Sequence, residues 1–355
     1  MNIPFPRLLD AATMQEVRRI TPISAAVNLG ITPLSTATLV VDIDDDIPLR
    51  SYVEMFTAEG SAGIYRVREI QSEYCTRNIK TLLLEHAICE LADFFHSTTD
   101  TVDLDNTVYG AINTLFQYFD TAPTFRHHWE IGTVESTATV VQTFSTSNSD
   151  GLSDLLDIME QIPDYYLAFD QTALPWKLNV VKRPSTVTAE GRLSRNVRSA
   201  VVRQDDRDWL NRSVAVVYDG EEVAGIYSAE DAGLIAEYGR VNRIEVMEDG
   251  TTAAQANRFV ARTLAKYKEF KVSVSIEAAD LAQITGETLD SFKIGKKFRL
   301  AIDNFVKEET ITEISWRDVY NDPTAVSITL AEPPEKVTKI LHRNDKGKVS
   351  KKKKA

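Results

Sequence analysis

Two adjacent histidines form the densest group of potential metal ligands in this chain of 355 residues. They belong to the stretch His127-His128-Trp129-Glu130. Imidazole nitrogens and carboxylate oxygens are ligands that zinc accepts. In a strand, however, neighbouring side chains point to opposite faces, so His127 and His128 would not reach the same ion. We therefore expect no metal site at this stretch.

A run of carboxylates between Asp42 and Asp46 has the residue type of a calcium loop. The EF-hand loop needs a glycine at its sixth position and a glutamate at its twelfth. Those positions hold Ile47 and Val53 here. The spacing therefore excludes an EF-hand and favours a solvated turn between two strands.

The sequence contains none of the common motifs for nucleophilic or nucleotide chemistry. It has no G-x-S-x-G elbow, no G-x-x-x-x-G-K-[ST] loop and no G-x-G-x-x-G turn. Its two cysteines, Cys75 and Cys89, form no C-x-x-C pattern and lie in segments typical of strand or core. We expect a non-enzymatic protein with no catalytic residue, no bound metal and no cofactor.

The charge is distributed unevenly along the chain. The formal net charge is -12, yet six lysines at the C-terminus leave -18 on the rest; they are Lys346, Lys348, Lys351, Lys352, Lys353 and Lys354. An acidic body repels nucleic acid, so we expect no stable nucleic-acid binding. The lysine-rich tail lacks apolar periodicity and is predicted to be disordered when free. It is either merely solvated or a contact for an acidic partner.

No segment has the pattern of a signal peptide or a membrane span. The first 20 residues lack an apolar stretch of about 7–15 residues, and no run of about 18 uncharged apolar residues occurs. The triplet Asn211-Arg212-Ser213 fits a glycosylation site, but without a secretory route it has no consequence. Two cysteines without a disulfide pattern are consistent with synthesis in a reducing cytoplasm.

Short strands are predicted for the first 95 residues. Runs rich in β-branched residues cover 23–27 and 36–43, and apolar residues alternate through 50–74. This rhythm is typical of antiparallel strands in a sandwich or barrel. Residues 78–95 fit either a helix or a strand, and we favour a strand followed by a loop at Ser97–Asp103.

Helix signals are clearer in the middle of the chain. Residues 107–119 have a helical apolar stripe that Asp105 or Asn106 would cap, and a second stripe covers 150–162 before Pro163. Two short strands, DYYLAFD and WKLNVVK, follow. The middle of the chain is therefore predicted to be an α/β unit.

A short helix and a long helix are predicted inside the strand-rich second half. In YSAEDAGLIAEYGR, Ser228 would cap the short helix and Gly239, with a positive φ, would end it. The long helix covers 252–267 and would be capped by Thr251 or Thr252. Strands are predicted at RIEVM, KVSVSIEA, KKFRLAI, ETITEISW and AVSITLA.

This order of elements resembles the hub proteins of long-tailed phages, a family that includes the N-terminal part of prophage tail endopeptidases and tail-associated lysins. The matching residues are Ser228, Ile235 and the pair Tyr238-Gly239, followed by AAQANRFVARTLAKYK, VSVSIEAADL, FKIGKKFRLAI with Gly295 at its turn, ITEISW and SITLAE. The resemblance covers about residues 195–332. The N-terminal strands fit the family more loosely.

The resemblance implies an α+β, mainly β fold with two small antiparallel β-barrel-like domains. The first barrel would comprise residues 1–95 and an α/β connecting domain residues 96–192. The second barrel would comprise residues 193–334, with a helical insertion at about 226–268, and a basic flexible tail would cover 335–355. Two similar barrels per subunit would give a trimer six barrels around its axis.

The resemblance also implies a function in the virion. The chain would be a trimeric hub at the tail tip or baseplate, made in the host bacterial cytoplasm and passing DNA and tape-measure protein through its channel. Its partners would be itself, a distal tail protein or tube ring, and a spike, fibre or receptor-binding protein. The alternatives are a tail-associated cell-wall hydrolase and the hub or spike of a phage-like injection machine. Since the chain ends soon after the last matching strand, we expect wall-degrading activity to belong to another polypeptide.

Overall fold

The fold is described here from a computed structural model of the chain. The described residues are 3–31, 34–58, 60–74, 76, 78–94, 102–122, 125–144, 150–192, 197–205, 209–220, 222–247, 251–268, 271–278, 293–302, 305–323 and 325–330. They form two compact units. The first unit combines residues up to Ala200 with Ser275–Leu330, and the second contains Val201–Val274. The fold is α+β and mainly β, as predicted.

The N-terminal part of the first unit consists of seven strands. These strands are β1 (Arg7–Leu9), β2 (Glu16–Arg19), β3 (Ser24–Gly30), β4 (Thr36–Asp42), β5 (Tyr52–Thr57), β6 (Gly60–Glu73) and β7 (Ile79–His86). They pair in the order β3-β4-β7-β6-β5-β1-β2, and every pair is antiparallel. Only the first half of the segment with the ambiguous pattern is the favoured strand, because β7 ends at His86 and a 3-10 helix occupies Ala87–Asp93. Residues 97–101 of the predicted loop lie outside the described residues, and residues 102–103 belong to the next strand.

The middle of the chain forms an α/β part, as predicted. Its elements are β8 (Val102–Thr107), α1 (Val108–Thr121), β9 (Trp129–Val134), β10 (Thr139–Phe144), α2 (Gly151–Glu160), β11 (Tyr165–Asp170) and β12 (Trp176–Lys182). Strand β8 pairs with β10, and β11, β12 and β9 form a separate three-stranded sheet. This part is rich in buried aromatic and aliphatic side chains, including Trp129, Trp176 and Phe119.

The two helices in this part are capped by an aspartate and a threonine. Asp150, for which no cap was predicted, caps α2 by accepting a hydrogen bond from Ser153 N at 2.9 Å. The prediction of Asp105 or Asn106 for α1 is wrong, because β8 continues through both residues. Thr107, the last residue of that strand, caps α1 and accepts from Gly110 N at 3.1 Å.

The C-terminal strands join the N-terminal strands in one sheet. They are β13 (Val187–Arg192), β14 (Val197–Asp205), β18 (Lys271–Ala278), β19 (Lys297–Ile302), β20 (Phe305–Trp316) and β21 (Val326–Leu330). Strand β20 pairs with β21, β19 and β3. Among the described residues this thirteen-stranded sheet follows an open path. The predicted barrel boundaries at residues 95, 192 and 334 stay predictions.

The second unit contains its own small sheet and two helices. Its elements are β15 (Arg212–Asp219), β16 (Glu222–Glu230), α3 (Ala232–Tyr238), β17 (Asn242–Met247) and α4 (Ala253–Tyr267). The strand order is β16-β15-β17, and α4 packs on one face of this sheet. Thr252 and Gln255 form the reciprocal capping box of α4, which confirms Thr252 as its cap.

The prediction that Ser228 caps the short helix is wrong. Ser228 lies inside β16, where it is paired with Val214 of β15. Asp231 is the cap of α3 and accepts a hydrogen bond from Leu234 N at 3.2 Å. Gly239 ends the helix with a φ of 76°, which confirms the predicted positive φ.

No helix among the residues that the structure describes is long and apolar enough to cross a membrane.

Gly295 occupies the turn before β19, where both its backbone and its surroundings favour glycine. Its φ is 84°, and its N–H donates to Ile311 O at 2.9 Å. A Cβ at this position would collide with the ring of Tyr166, with the phenol oxygen at 2.7 Å. The turn therefore carries two separate constraints, one conformational and one steric.

We expect Gly295→Ala to destabilise the first unit by roughly 2–4 kcal/mol. Alanine is strained at a positive φ, and its Cβ would also overpack against the ring of Tyr166. Gly60→Ala is the control, because Gly60 also has a positive φ but a Cβ there would meet nothing within 4 Å. Chemical denaturation checks both variants. If the collision with Tyr166 contributes, Gly295→Ala lowers the free energy of unfolding by less when Tyr166 is also replaced by alanine. An equal loss with and without Tyr166 would contradict a steric contribution.

Candidate functional site

Three of the signature residues, Ile235, Tyr238 and Gly239, belong to a segment that is bonded to one buried asparagine in the second unit, whereas Gly295 lies in the first unit. Asn211 is fully buried. Its side-chain Nδ2 donates to Gly239 O at 2.6 Å, and its Oδ1 accepts from Val241 N at 2.8 Å. Its backbone carbonyl also accepts from Asp231 N at 3.0 Å. One residue therefore fixes both ends of the segment that contains α3.

Helix α3 itself lies outside any core. None of its residues is buried, although Ile235 is partly covered. The ring of Tyr238 packs edge-on against Trp209 with centroids 5.4 Å apart, and half of Tyr238 remains exposed. The helix is thus positioned mainly by the bonds at its ends.

One face of the small sheet carries apolar side chains that no described element covers. Strands β15, β16 and β17 contribute Val216, Val223, Ile226, Ile244 and Val246 to it, and we call this set the open sheet face. Ile226 and Val246 lie opposite Val216 on the two sides of β15. The opposite face holds the buried Ala215 and Val217, which pack with α4. A three-stranded sheet with both faces apolar leaves one face for another partner.

A second candidate site lies in the first unit, where a buried carboxylate binds a histidine. Glu90 is almost fully buried. Its Oε2 accepts from Tyr52 Oη at 2.7 Å, and its Oε1 accepts from the backbone N of His128 at 2.8 Å. The ring Nδ1 of His128 lies 3.0 Å from Glu90 Oε2, and its Nε2 lies 3.0 Å from the carbonyl of Ala11.

Both ring nitrogens of His128 face acceptors, so both must carry protons for both bonds to form. Burial lowers the pKa of His128, but the hydrogen bond and charge of Glu90 and the Ala11 carbonyl outweigh it and raise the pKa above its ordinary value. Burial, together with the negative charge of Glu90, also raises the pKa of Tyr52. The group is therefore arranged to hold a charged imidazolium against a carboxylate.

An arginine and two further carboxylates extend this polar group. Arg66 Nη2 lies 2.6 Å from Glu85 Oε1, and its Nη1 contacts Asp93 Oδ2. Burial opposes the charge of Arg66, but the hydrogen bonds and charges of Glu85 and Asp93 raise its pKa. Removing one partner of such a buried pair leaves an uncompensated charge, so we infer a structural role.

A broad cleft of about 710 Å³ opens beside this polar group. Its lining combines Arg50, Tyr52, Arg66, Glu90, Asp93, Asp120, Arg126, His127 and His128 with Ala11, Ala12, Phe119 and Phe125. The composition suggests acid–base chemistry, but the hydrogen bonds oppose it. His128 has no free nitrogen to act as a base, and both oxygens of Glu90 already accept bonds.

The structure corrects the argument about the two histidines. His127 and His128 precede β9 rather than lying in a strand, and both line the same cleft. His127 Nε2 lies 3.3 Å from Asp120 Oδ1, whereas His128 binds Glu90. Within the described ranges, no three histidine, cysteine or acidic side chains gather closely enough to hold a metal ion.

The other candidate residues are scattered. Asp45, from the carboxylate run, pairs with Arg18 at 2.9 Å. Cys89 lies in the 3-10 helix, and burial raises the pKa of its thiol to about 12, which disfavours the reactive thiolate. Cys75 and the tail lysines Lys346, Lys348 and Lys351–Lys354 lie outside the described residues.

Sequence reasoning missed Asn211 and the open sheet face. In the sequence, Asn211 stands out only as part of a glycosylation triplet. Strand β15, with the sequence RSVAVVYD, is apolar at consecutive positions rather than alternate ones. That pattern indicates a strand with two apolar faces, and it was the available signal.

We expect Asn211→Ala to destabilise the second unit by roughly 2–4 kcal/mol, because Gly239 O and Val241 N each lose their partner. Hydrogen exchange of peptides spanning 231–247 measures the effect, together with thermal unfolding. Asn242→Ala is the matched control, since Asn242 is an exposed asparagine of β17. Unchanged exchange at Val241 would contradict the assigned role.

We expect the cost of His128→Gln to depend on pH. The folded-state pKa of His128 is raised, so its stabilisation is complete below the unfolded value of about 6.5 and disappears as the pH rises through the folded pKa. Denaturation of both proteins from pH 5 to 9 measures the difference, which should be about 1–3 kcal/mol at low pH.

Burial lowers the pKa of His86 to about 3, so His86 changes the stability in the opposite direction as the pH falls. His86 is present in both proteins, so its contribution cancels in the difference between wild type and His128→Gln. His127→Gln is the control. Its carboxylate partner Asp120 is largely exposed, so that pair should contribute under about 1 kcal/mol. A cost of His128→Gln that stays constant from pH 5 to 9 would contradict a charged His128.

The chain is similar to known proteins in structure but not in sequence. No protein-family model and no curated protein matches the sequence. Solved structures match the fold. The tail protein from Neisseria meningitidis MC58 is similar with a TM-score of 0.66 at 11% identity, over 94% of this chain and 97% of that chain.

Two prophage tail proteins give similar results. The 43 kDa tail protein of prophage MuSo2 from Shewanella oneidensis has a TM-score of 0.64 at 13% identity, over 92% of this chain and 98% of that one. A prophage tail protein from Listeria monocytogenes EGD-e has a TM-score of 0.60 at 12% identity, over 96% and 98%. The predicted resemblance to tail proteins is thus confirmed at the level of the fold. The chain has the fold of these phage tail proteins.

Proposed function

We propose that the chain is a structural component of a phage-type tail, located at the tail tip or baseplate. The observation that carries this proposal is the extent of the fold match. Three tail proteins are matched over 92–96% of this chain and 97–98% of their own length. A likeness that extends over nearly the whole of both chains favours a common architecture for the entire protein over a single domain in common.

The hub assignment adds a homotrimer with near-sixfold geometry. Seven N-terminal strands and six C-terminal strands lie on the two sides of the β3–β20 junction. If these two groups act as similar modules, three copies place six modules around one axis. Such a trimer would match the hexameric rings of a tail tube or distal tail protein above and a spike or receptor-binding part below.

A central channel follows from this arrangement. The chain without its terminal lysines has a net charge of -18. An acidic channel wall would keep DNA and tape-measure protein from adhering during ejection. A channel lined mainly by lysine and arginine would contradict this part of the proposal.

A non-enzymatic role agrees with the polar cleft. Glu90 and His128 are held by fixed hydrogen bonds, and Asp93 is paired with Arg50 and Arg66. Asp120 is the carboxylate of the described cleft that remains largely exposed. Glycoside hydrolysis commonly uses two carboxylates that both reach the substrate, so the structural role is the better account of this site.

A phage-like injection machine is the second candidate. The PdpA–VgrG complex of Francisella includes a chain similar to this one with a TM-score of 0.51, over 94% of this chain and 53% of that one. Because this chain matches only 53% of that longer chain, we favour a tail protein over a component of an injection machine. Genes for a capsid and portal beside this one would favour a phage.

We expect the purified chain to form a homotrimer, with a mass three times the 39.7 kDa of one subunit. Light scattering after size exclusion and native mass spectrometry, over a hundredfold concentration range, measure it. A monomer at every concentration would contradict the hub. A peptidoglycan zymogram of the same preparation is the second test, and clearing by the pure chain would favour the hydrolase.

A further inference from the structure

The open sheet face is an apolar feature of the second unit that no described element covers. Val223, Ile226, Ile244 and Val246 are 51%, 66%, 64% and 68% exposed. Isolated exposed apolar residues are common on proteins, but four β-branched side chains on one sheet face form a patch. Strand register places them together, since Ile226 and Val246 flank Val216.

The face is framed by charges of opposite sign at its two ends. At the end next to α3, Arg212 and Arg240 share the single carboxylate of Glu230, at 3.4 and 3.8 Å. At the hairpin end, Asp219 and Glu222 are exposed. The group of Arg212, Arg240 and Glu230 therefore carries one surplus positive charge, next to a pair formed by Asp231 and Lys268, and the hairpin end carries two carboxylates.

We propose that a second copy of this chain covers the open sheet face, and this inference rests on the proposed self-assembly. Copies with a net charge of -12 repel one another over most of their surface. The apolar centre of this face carries no acidic side chain, so it is a place where two copies can approach. The acidic hairpin end of one copy then meets the Arg212–Arg240 end of the next.

The size of the face shows that it acts as one part of a larger contact. Three strands spaced about 4.8 Å apart and about seven residues long cover roughly 300–400 Å². A stable interface buries about 800 Å² on each partner. A second copy can supply the missing area through its other surfaces, as neighbours in a ring do. Homomeric interfaces are also the more apolar ones, which suits this composition.

The test compares single charge insertions in the full-length chain. Ile244→Asp and Ile226→Asp each place a carboxylate in the centre of the face. Since both positions are over 60% exposed, the folded subunit should retain its melting temperature. We expect the apparent dissociation constant of the oligomer to rise at least about tenfold for either variant, measured by analytical ultracentrifugation.

Val17→Asp is the matched control. Val17 is an apolar residue of β2 that is 60% exposed and lies in the first unit, away from the open sheet face by sequence and sheet. It should leave the oligomer unchanged. Photo-crosslinking from benzoylphenylalanine in place of Ser228, an exposed residue of β16 beside the face, gives an independent result. We expect a product of twice the chain mass on a denaturing gel.

The outcomes separate the two proposals. An oligomer that survives both aspartate variants, with no crosslinked dimer, overturns the assignment of this face and leaves the hub proposal intact. A wild-type chain that is monomeric at all concentrations overturns self-assembly itself. Dissociation of the aspartate variants alone, with the Val17 variant unaffected, is the result that the open sheet face predicts.

Discussion

Strand β3 near the start of the chain is hydrogen-bonded to strand β20 near its end. Val27 lies opposite Trp316, and both are almost fully buried. This pairing joins the N-terminal and C-terminal strands into one sheet, so neither group can complete its sheet without the other. The chain that connects the two groups of strands must leave the sheet and return to it. The chain accordingly passes into the second unit near Ala200 and returns near Ser275.

That constraint explains why the second unit has a separate core and a surface to spare. Among the described elements, α4 is the one that packs on its three-stranded sheet, and one amphipathic helix covers one face. Helix α3 has no buried residue, so the hydrogen bonds of Asn211, rather than a hydrophobic core, hold its segment in place. In the first unit, buried polar contacts have the same kind of role. Glu90 fixes the segment before β9 through His128, and Arg66, which lies opposite Glu85 in the sheet, holds the 3-10 helix through Asp93 and the Cys89 carbonyl.

Local chemistry made some elements predictable from the sequence. Thr252 was correctly predicted as a cap, since a side-chain oxygen and a nearby N–H decide a cap within four residues. Ser228 and Asp105 were wrong because strands β16 and β8 extend through them, and strand length depends on partners distant in the sequence. The open sheet face was missed for the same reason. Alternation identifies a strand, but which of its faces is covered depends on tertiary packing.

The proposed function depends on how copies of the chain associate, and a reconstruction of the purified full-length protein by electron cryomicroscopy tests this most directly. The account predicts three copies around an axis, with a central opening and the open sheet face covered by a neighbouring subunit. Single, unassociated copies with this face in solvent and substrate-accessible acids in the cleft would contradict it.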